Sequence, residues 1–191
     1  MKKFVMIAAL VLASLSANAQ GMFIKPMAGG TLTTMVGDVE NLKMKVGFVG
    51  GVELGYQFQN TFAITAGALY SFQGAKFKND FVEINNNLQY LNVPVLLNVY
   101  VAPGLALKAG GQMGFLMRAK AGDEDIKHFF EKTDFAIPVG LSYEVEDAVV
   151  DLRYNIGVSK ANKSEAYGLK ADGSCRNSVI MLTIGYKIPM W

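Results

Sequence analysis

Hydrophobic and polar residues alternate along most of this chain. Over residues 148–159, each even-numbered position from Ala148 to Val158 is apolar, whereas the odd-numbered positions include Asp151 and Arg153. Successive side chains of a β-strand point to opposite faces, so this segment is predicted to be a strand with one apolar and one polar face. The same alternation predicts eight strands, at about residues 22–32, 46–58, 62–73, 90–100, 105–118, 134–144, 148–160 and 180–188.

The composition of the two faces indicates which of them meets lipid. The apolar faces carry no charged residue on any predicted strand, and the polar faces are mostly Gly, Ser, Thr, Asn and Gln. A charge facing lipid near the middle of a bilayer costs about 2–4 kcal/mol, so uncharged outer faces are typical of a transmembrane barrel with a polar interior. The alternative is a secreted lipocalin-like barrel, which would fill its interior with apolar side chains.

The connections between the strands alternate in length. Three are tight turns, at Gln59-Asn60, Pro103-Gly104 and Glu146-Asp147. Short periplasmic turns and long outer loops are the outer-membrane arrangement, and the predicted fold is therefore an all-β, eight-stranded antiparallel up-and-down transmembrane barrel. The four long connections span about residues 33–45, 74–87, 119–133 and 161–177.

Aromatic residues cluster near both ends of the predicted strands, as interfacial girdles would. The girdle near the tight turns would comprise Tyr56, Phe58, Phe62, Tyr143, Tyr186 and Trp191, and the girdle near the long loops would comprise Phe48, Tyr70, Phe72, Phe115 and Phe135.

Two prolines, Pro94 and Pro138, lie inside predicted strands, where proline removes a hydrogen-bond donor. They are interpreted as local bulges, with a misassigned register as the alternative.

The first residues look like an export signal. Lys2-Lys3 precede an apolar run from Phe4 to Leu15, and Ala17-Asn18-Ala19 matches a cleavage site. The run is too short to span a bilayer, so residues 1–19 are predicted to be a cleaved signal peptide and residues 20–191 the barrel domain. An uncleaved N-terminal anchor is the alternative.

Composition excludes several classes of protein. The 191 residues include one Cys and one His, which argues against a disulfide scaffold and a cysteine-rich zinc site. Of 18 basic side chains two are Lys2 and Lys3, so the remaining chain balances 16 basic against 16 acidic residues. A near-neutral chain is not an electrostatic nucleic-acid binder, and we expect no nucleic-acid partner.

Four strand segments and the cleavage context carry recognisable motifs. They are Tyr90–Leu97 (YLNVPVLL), Ile137–Glu144, Arg153–Val158 and Leu182–Ile188, with Ala17–Gln20 as the cleavage context. Together they resemble the PorT-like outer-membrane β-barrel family of Bacteroidota. The resemblance covers essentially the whole chain after the signal peptide and implies an eight-stranded barrel in the outer membrane. It implies no catalytic residues. One family member supports protein secretion, and carrying that role over would rest on analogy of fold alone.

Charged residues on the predicted polar faces are the main candidates for a site. Eight strands leave an interior just wide enough for side chains to fill, which favours a self-neutralising buried network over the alternative of an open pore. Asp151 and Arg153 lie two apart on one face and can share partners. The inward-facing candidates are Lys25, Glu53, Lys108, Arg118, Glu144, Asp151, Arg153 and Lys187.

No residue pattern points to catalysis. His128 lies in the third long connection and could be the base of a lipid hydrolase, but no motif links it to Ser71, Ser142 or Ser159. Cys175 is interpreted as an ordinary loop residue. We therefore expect no enzyme activity, no cofactor and no metal.

The expected partners follow from the predicted location. The apolar outer face would contact outer-membrane lipid, and the long outer loops would meet a protein partner of unknown identity. Trp191 lies just past the last strand and resembles the C-terminal aromatic through which such barrels engage the barrel-assembly machinery. A narrow channel or small-molecule porter is the alternative function.

Overall fold

The computed structural model describes residues 21–36, 42–58, 61–73, 76–79, 82–121, 124–125, 133–159 and 176–190. No helix in these ranges is long and apolar enough to cross a membrane. The described chain is built from strands: β1 Met22–Val36, β2 Leu42–Lys43, β3 Lys45–Phe58, β4 Phe62–Gln73, β5 Lys76–Asn79, β6 Val82–Ala102, β7 Leu105–Ala121, β8 Glu124–Asp125, β9 Thr133–Val145, β10 Ala148–Gly157, β11 Arg176–Tyr186 and β12 Ile188–Pro189.

The long strands form a closed antiparallel barrel. Around the wall the order is β1, β3, β4, β6, β7, β9, β10 and β11, and β11 pairs with β1 to close the ring. β12 continues the line of β11 past Lys187 and also pairs with β1. The predicted eight-stranded up-and-down barrel is confirmed.

The predicted alternation of faces is also confirmed. On β10 the side chains of Val150, Leu152 and Tyr154 are exposed on the outer face, whereas Asp151 and Arg153 are buried in the interior. Neighbouring strands continue the outer apolar face, since Leu152 lies beside Leu141 on β9 and Leu182 on β11.

Strands extend into segments that the sequence pattern assigned to long loops. β5 and the first residues of β6 form a hairpin within 74–87, and β2 pairs with β5 at its edge. The expectation that this segment is only a loop is therefore wrong.

Residues 1–20, His128 and Cys175 lie outside the described residues.

The two strand prolines interrupt ladders without shifting them. Pro94 pairs with Gln112 on β7, and the pairing of β6 with β4 skips Gly67 and Ala68 but resumes in the same register. Pro138 behaves in the same way, because it pairs with Asn155 while the β7–β9 ladder is interrupted opposite it. The interpretation of both prolines as bulges is therefore wrong: each lacks its N–H donor, but no extra residue is inserted.

A candidate functional site: the charged cluster in the barrel interior

Five charged side chains from four strands meet in the middle of the interior. Lys25 comes from β1, Glu53 from β3, Lys108 from β7, and Asp151 and Arg153 from β10. All five are buried, with no more than 6% of any of them exposed. We call these residues the charged cluster.

Arg153 is the hub of the charged cluster. Its Nε lies 2.6 Å from Oδ1 of Asp151 and its Nη2 donates to Oδ2 of the same carboxylate at 2.9 Å, which is a two-pronged contact within one strand. Its remaining nitrogen, Nη1, lies 2.6 Å from Oε1 of Glu53. A planar guanidinium presents its donors in a fixed fork, so one arginine can hold two carboxylates at defined angles.

The two lysines complete the contacts of these carboxylates. Nζ of Lys25 lies 2.8 Å from Oε2 of Glu53 and 3.8 Å from Oδ2 of Asp151. Lys108 on β7, which β9 alone separates from β10, also donates to Oδ2 of Asp151. Three cations thus surround two anions, and the charged cluster carries a formal charge of +1.

Small residues opposite the charged cluster make room for its long side chains. Gly140 pairs with Arg153, and a Cβ at that glycine would lie 3.1 Å from Cγ of the arginine. Gly67 pairs with Glu53, where a Cβ would lie 2.7 Å from Cγ of the glutamate. These glycines leave the space that the long charged side chains need in a crowded lumen.

An apolar layer, which the sequence analysis did not anticipate, lies beside the charged cluster. Met27, Val49, Leu69 and Met181 project inward and pack together as buried residues. The alternating pattern predicted that the inner faces are polar. These four apolar residues nevertheless lie on the inner faces, among polar neighbours. Ionic and apolar contacts therefore both contribute to filling the lumen.

Lys187 lies apart from the charged cluster, at the tight-turn end of the barrel. Its Nζ is 2.9 Å from Oε2 of Glu144 and donates to Oε1 of Gln57 at 2.8 Å. The ammonium also lies 4.7 Å from the centre of the Phe23 ring, a cation–π distance, and the Tyr100 hydroxyl donates to Glu144 at 2.7 Å. These residues form a second, half-buried polar layer across this end of the lumen.

Arg118 does not face the interior, and its predicted place in the network is wrong. The β6–β7 register shifts between Gln89 and Tyr90, so that Gln89 pairs with Arg118 but Tyr90 pairs with Leu116. Met117 is the extra residue. A one-residue bulge turns the following side chains to the opposite face, and Arg118 is exposed on the side of Gln89.

Two of the three serines considered for catalysis, Ser71 and Ser159, have hydrogen-bond partners within the barrel. Ser71 accepts hydrogen bonds from Gln73 and Asn92 in the interior, and Ser159 hydrogen-bonds with Asp134 near the loop end. Among the described residues no group of three His, Cys, Asp or Glu could hold a metal ion.

Comparisons with known proteins agree with the architecture. The Ail attachment invasion locus protein of Yersinia pestis is similar, with a TM-score of 0.55 and 18% identity over 88% of this chain and 99% of Ail. Neisserial surface protein A has a TM-score of 0.56 and 13% identity over 89% of this chain and 97% of its own. OprG of Pseudomonas aeruginosa has a TM-score of 0.51 and 14% identity over 89% and 97%. These identities support a shared fold and nothing finer.

A comparison with curated protein sequences finds no match. The model of the outer membrane protein beta-barrel domain family matches residues 5–188, which is nearly the whole chain. With the closed eight-stranded barrel and its largely apolar outer face, this match shows that the chain belongs to the outer membrane protein beta-barrel domain family.

Proposed function

We propose that this protein is a non-enzymatic interaction barrel whose interior is closed by side chains and whose outer loops bind a protein partner. The observation that carries the proposal is the charged cluster. Five buried charges joined across four strands, with the apolar layer beside them, occupy the middle of the lumen. A barrel closed in this way offers its ends and its outer face, rather than its lumen, for function.

The resemblance to PorT-like barrels of Bacteroidota suggests a more specific form of this role. A member of that family supports secretion, so the partner would be a component of a secretion or assembly machine. Export by a signal peptide at residues 1–19 and insertion by the barrel-assembly machinery belong to the same proposal.

Single-channel recording in planar bilayers tests the closed interior. The wild-type barrel should be electrically silent, because ions would have to displace buried ion pairs. The double variant Glu53→Ala with Arg153→Ala should show steady conductance if it stays folded, since it removes the hub of the charged cluster and one of its anions. Steady conductance of the wild type would instead support a narrow channel or small-molecule porter.

Cross-linking from intact membranes tests the partner. The full-length protein should capture a defined protein, and replacing residues 161–175 by a short Gly-Ser linker should abolish capture. Heat-modifiable gel mobility reports whether the shortened barrel is folded. Equal capture by both folded proteins would contradict a loop-bound partner.

A further inference from the structure

We propose that Arg118 anchors the phosphate-bearing headgroup of an outer-membrane lipid on the outside of the barrel. Arg118 is the residue that the bulge at Met117 turns away from the lumen, and it is exposed. Within the described ranges it takes part in none of the ion pairs of the barrel. An arginine on the outer wall that forms no ion pair with a described acidic residue is suited to a ligand that brings its own negative charge.

The level of Arg118 on the barrel matches the headgroup region. Cross-strand pairing places Phe72 beside Gln89 and Gln89 beside Arg118, so the three form one row on the outer face. Phe72 and the adjacent Tyr70 belong to the loop-end aromatic girdle, and both rings are exposed. Interfacial aromatics lie at the level of lipid headgroups, where a basic side chain reaches phosphates.

A pocket of about 230 Å³ lies at this level. Its basic lining residues are Arg118 and Lys45, and its lining includes no Asp or Glu. The Tyr70 hydroxyl donates to the amide oxygen of Gln89 at 2.7 Å, which leaves the amide N–H groups of Gln89 as donors. The remaining lining residues are Val46, Gly47, Phe72, Gln73 and Leu88.

This mixture fits an amphiphile better than a free anion. The guanidinium and amide donors suit phosphate oxygens, whereas exposed Phe72 and the outward-facing Leu91 below it offer an apolar track toward the membrane centre. The ligand is therefore inferred to be a lipid phosphate whose acyl chain descends along this track.

The test uses the full barrel in phosphatidylcholine nanodiscs doped with bis-phosphorylated lipid A, and native mass spectrometry measures retained lipid A. We expect Arg118→Gln to reduce the affinity about tenfold or more, since one charge-assisted contact is lost. Arg176→Gln is the matched control, because it makes the same change at the start of β11, which β9 and β10 separate from β7, the strand that carries Arg118.

Two further arms, both on the wild type, identify the chemistry and its source. Dephosphorylated lipid A should be retained at least tenfold more weakly, and glucose 1-phosphate should fail to compete. Equal retention by folded Arg118→Gln and wild type, equal retention of the dephosphorylated lipid, or full competition by glucose 1-phosphate would each overturn the proposal.

Discussion

Arg153 on β10 and Glu53 on β3 contact each other across the lumen, with Nη1 and Oε1 2.6 Å apart. Two strands, β11 and β1, separate them around the wall. Their contact therefore ties distant parts of the barrel together, and neither side chain has access to bulk water. Removing one partner of such a buried ion pair strongly destabilises a protein, although the intact pair itself adds little net stability to the fold.

We predict that Glu53→Gln destabilises the barrel by about 3–5 kcal/mol, because it removes one of the two buried anions and leaves three buried cations with Asp151 as their counter-charge within the charged cluster. Glu144→Gln is the matched control. It makes the same chemical change at the tight-turn end, where the carboxylate is 17% exposed, and should cost only about 1–2 kcal/mol. Urea unfolding in lipid vesicles, followed by heat-modifiable gel mobility, measures both losses. Equal losses would contradict a special role of the charged cluster.

Substitutions on the outer face test its contact with lipid. Leu152 lies in the middle of β10 and faces outward, so Leu152→Arg should cost about 2–4 kcal/mol in a bilayer. Val46 lies near the loop end of β3 with 75% of its side chain exposed, and Val46→Arg should cost no more than about 1 kcal/mol there. The comparison is made by reversible unfolding from lipid vesicles. A cost independent of position would argue against membrane embedding at this depth.

Two glycines with opposite surroundings give a matched pair of packing tests. A Cβ at Gly51 would lie 2.8 Å from Cα of Leu69 and closer still to the carbonyl oxygen of Ala68, so Gly51→Ala should destabilise by about 1–3 kcal/mol. At Gly111 nothing lies within 4 Å, and Gly111→Ala should be neutral or stabilise by up to about 1 kcal/mol. The free energy of unfolding in vesicles reports both changes, and a reversed order would show that the β3–β4 contact is looser than described.

The tight turn at Glu146-Asp147 contains a strained residue. Glu146 has φ of 53°, in the left-handed region that glycine adopts without a steric penalty. Glu146→Gly should therefore stabilise the barrel by about 0.5–1 kcal/mol. Gly104→Ala in the neighbouring turn should have the opposite effect, because Gly104 has φ of 76° and a Cβ there would meet the Glu144 backbone. Unfolding midpoints shifting in the same direction for both variants would refute this reading of the turns.

Sequence periodicity alone determined the fold of this protein. A period of two is a local property of a strand, and lipid on one side disfavours charge at outward positions near the middle of the bilayer, so faces, strand number and closure could all be derived from the order of residues. The same reasoning placed Lys25, Glu53, Asp151 and Arg153 on inner faces, where the structure has them.

Only the tertiary structure decided which of these residues meet. The contact of Arg153 with Glu53, and the separation of Lys187 from both, depend on the stagger between strands distant in sequence. Arg118 shows the limit most clearly, because one inserted residue at Met117 reverses its face, and alternation contains no signal for a bulge. Strand identity follows from local spacing, whereas register and bulges follow from how neighbouring strands pack.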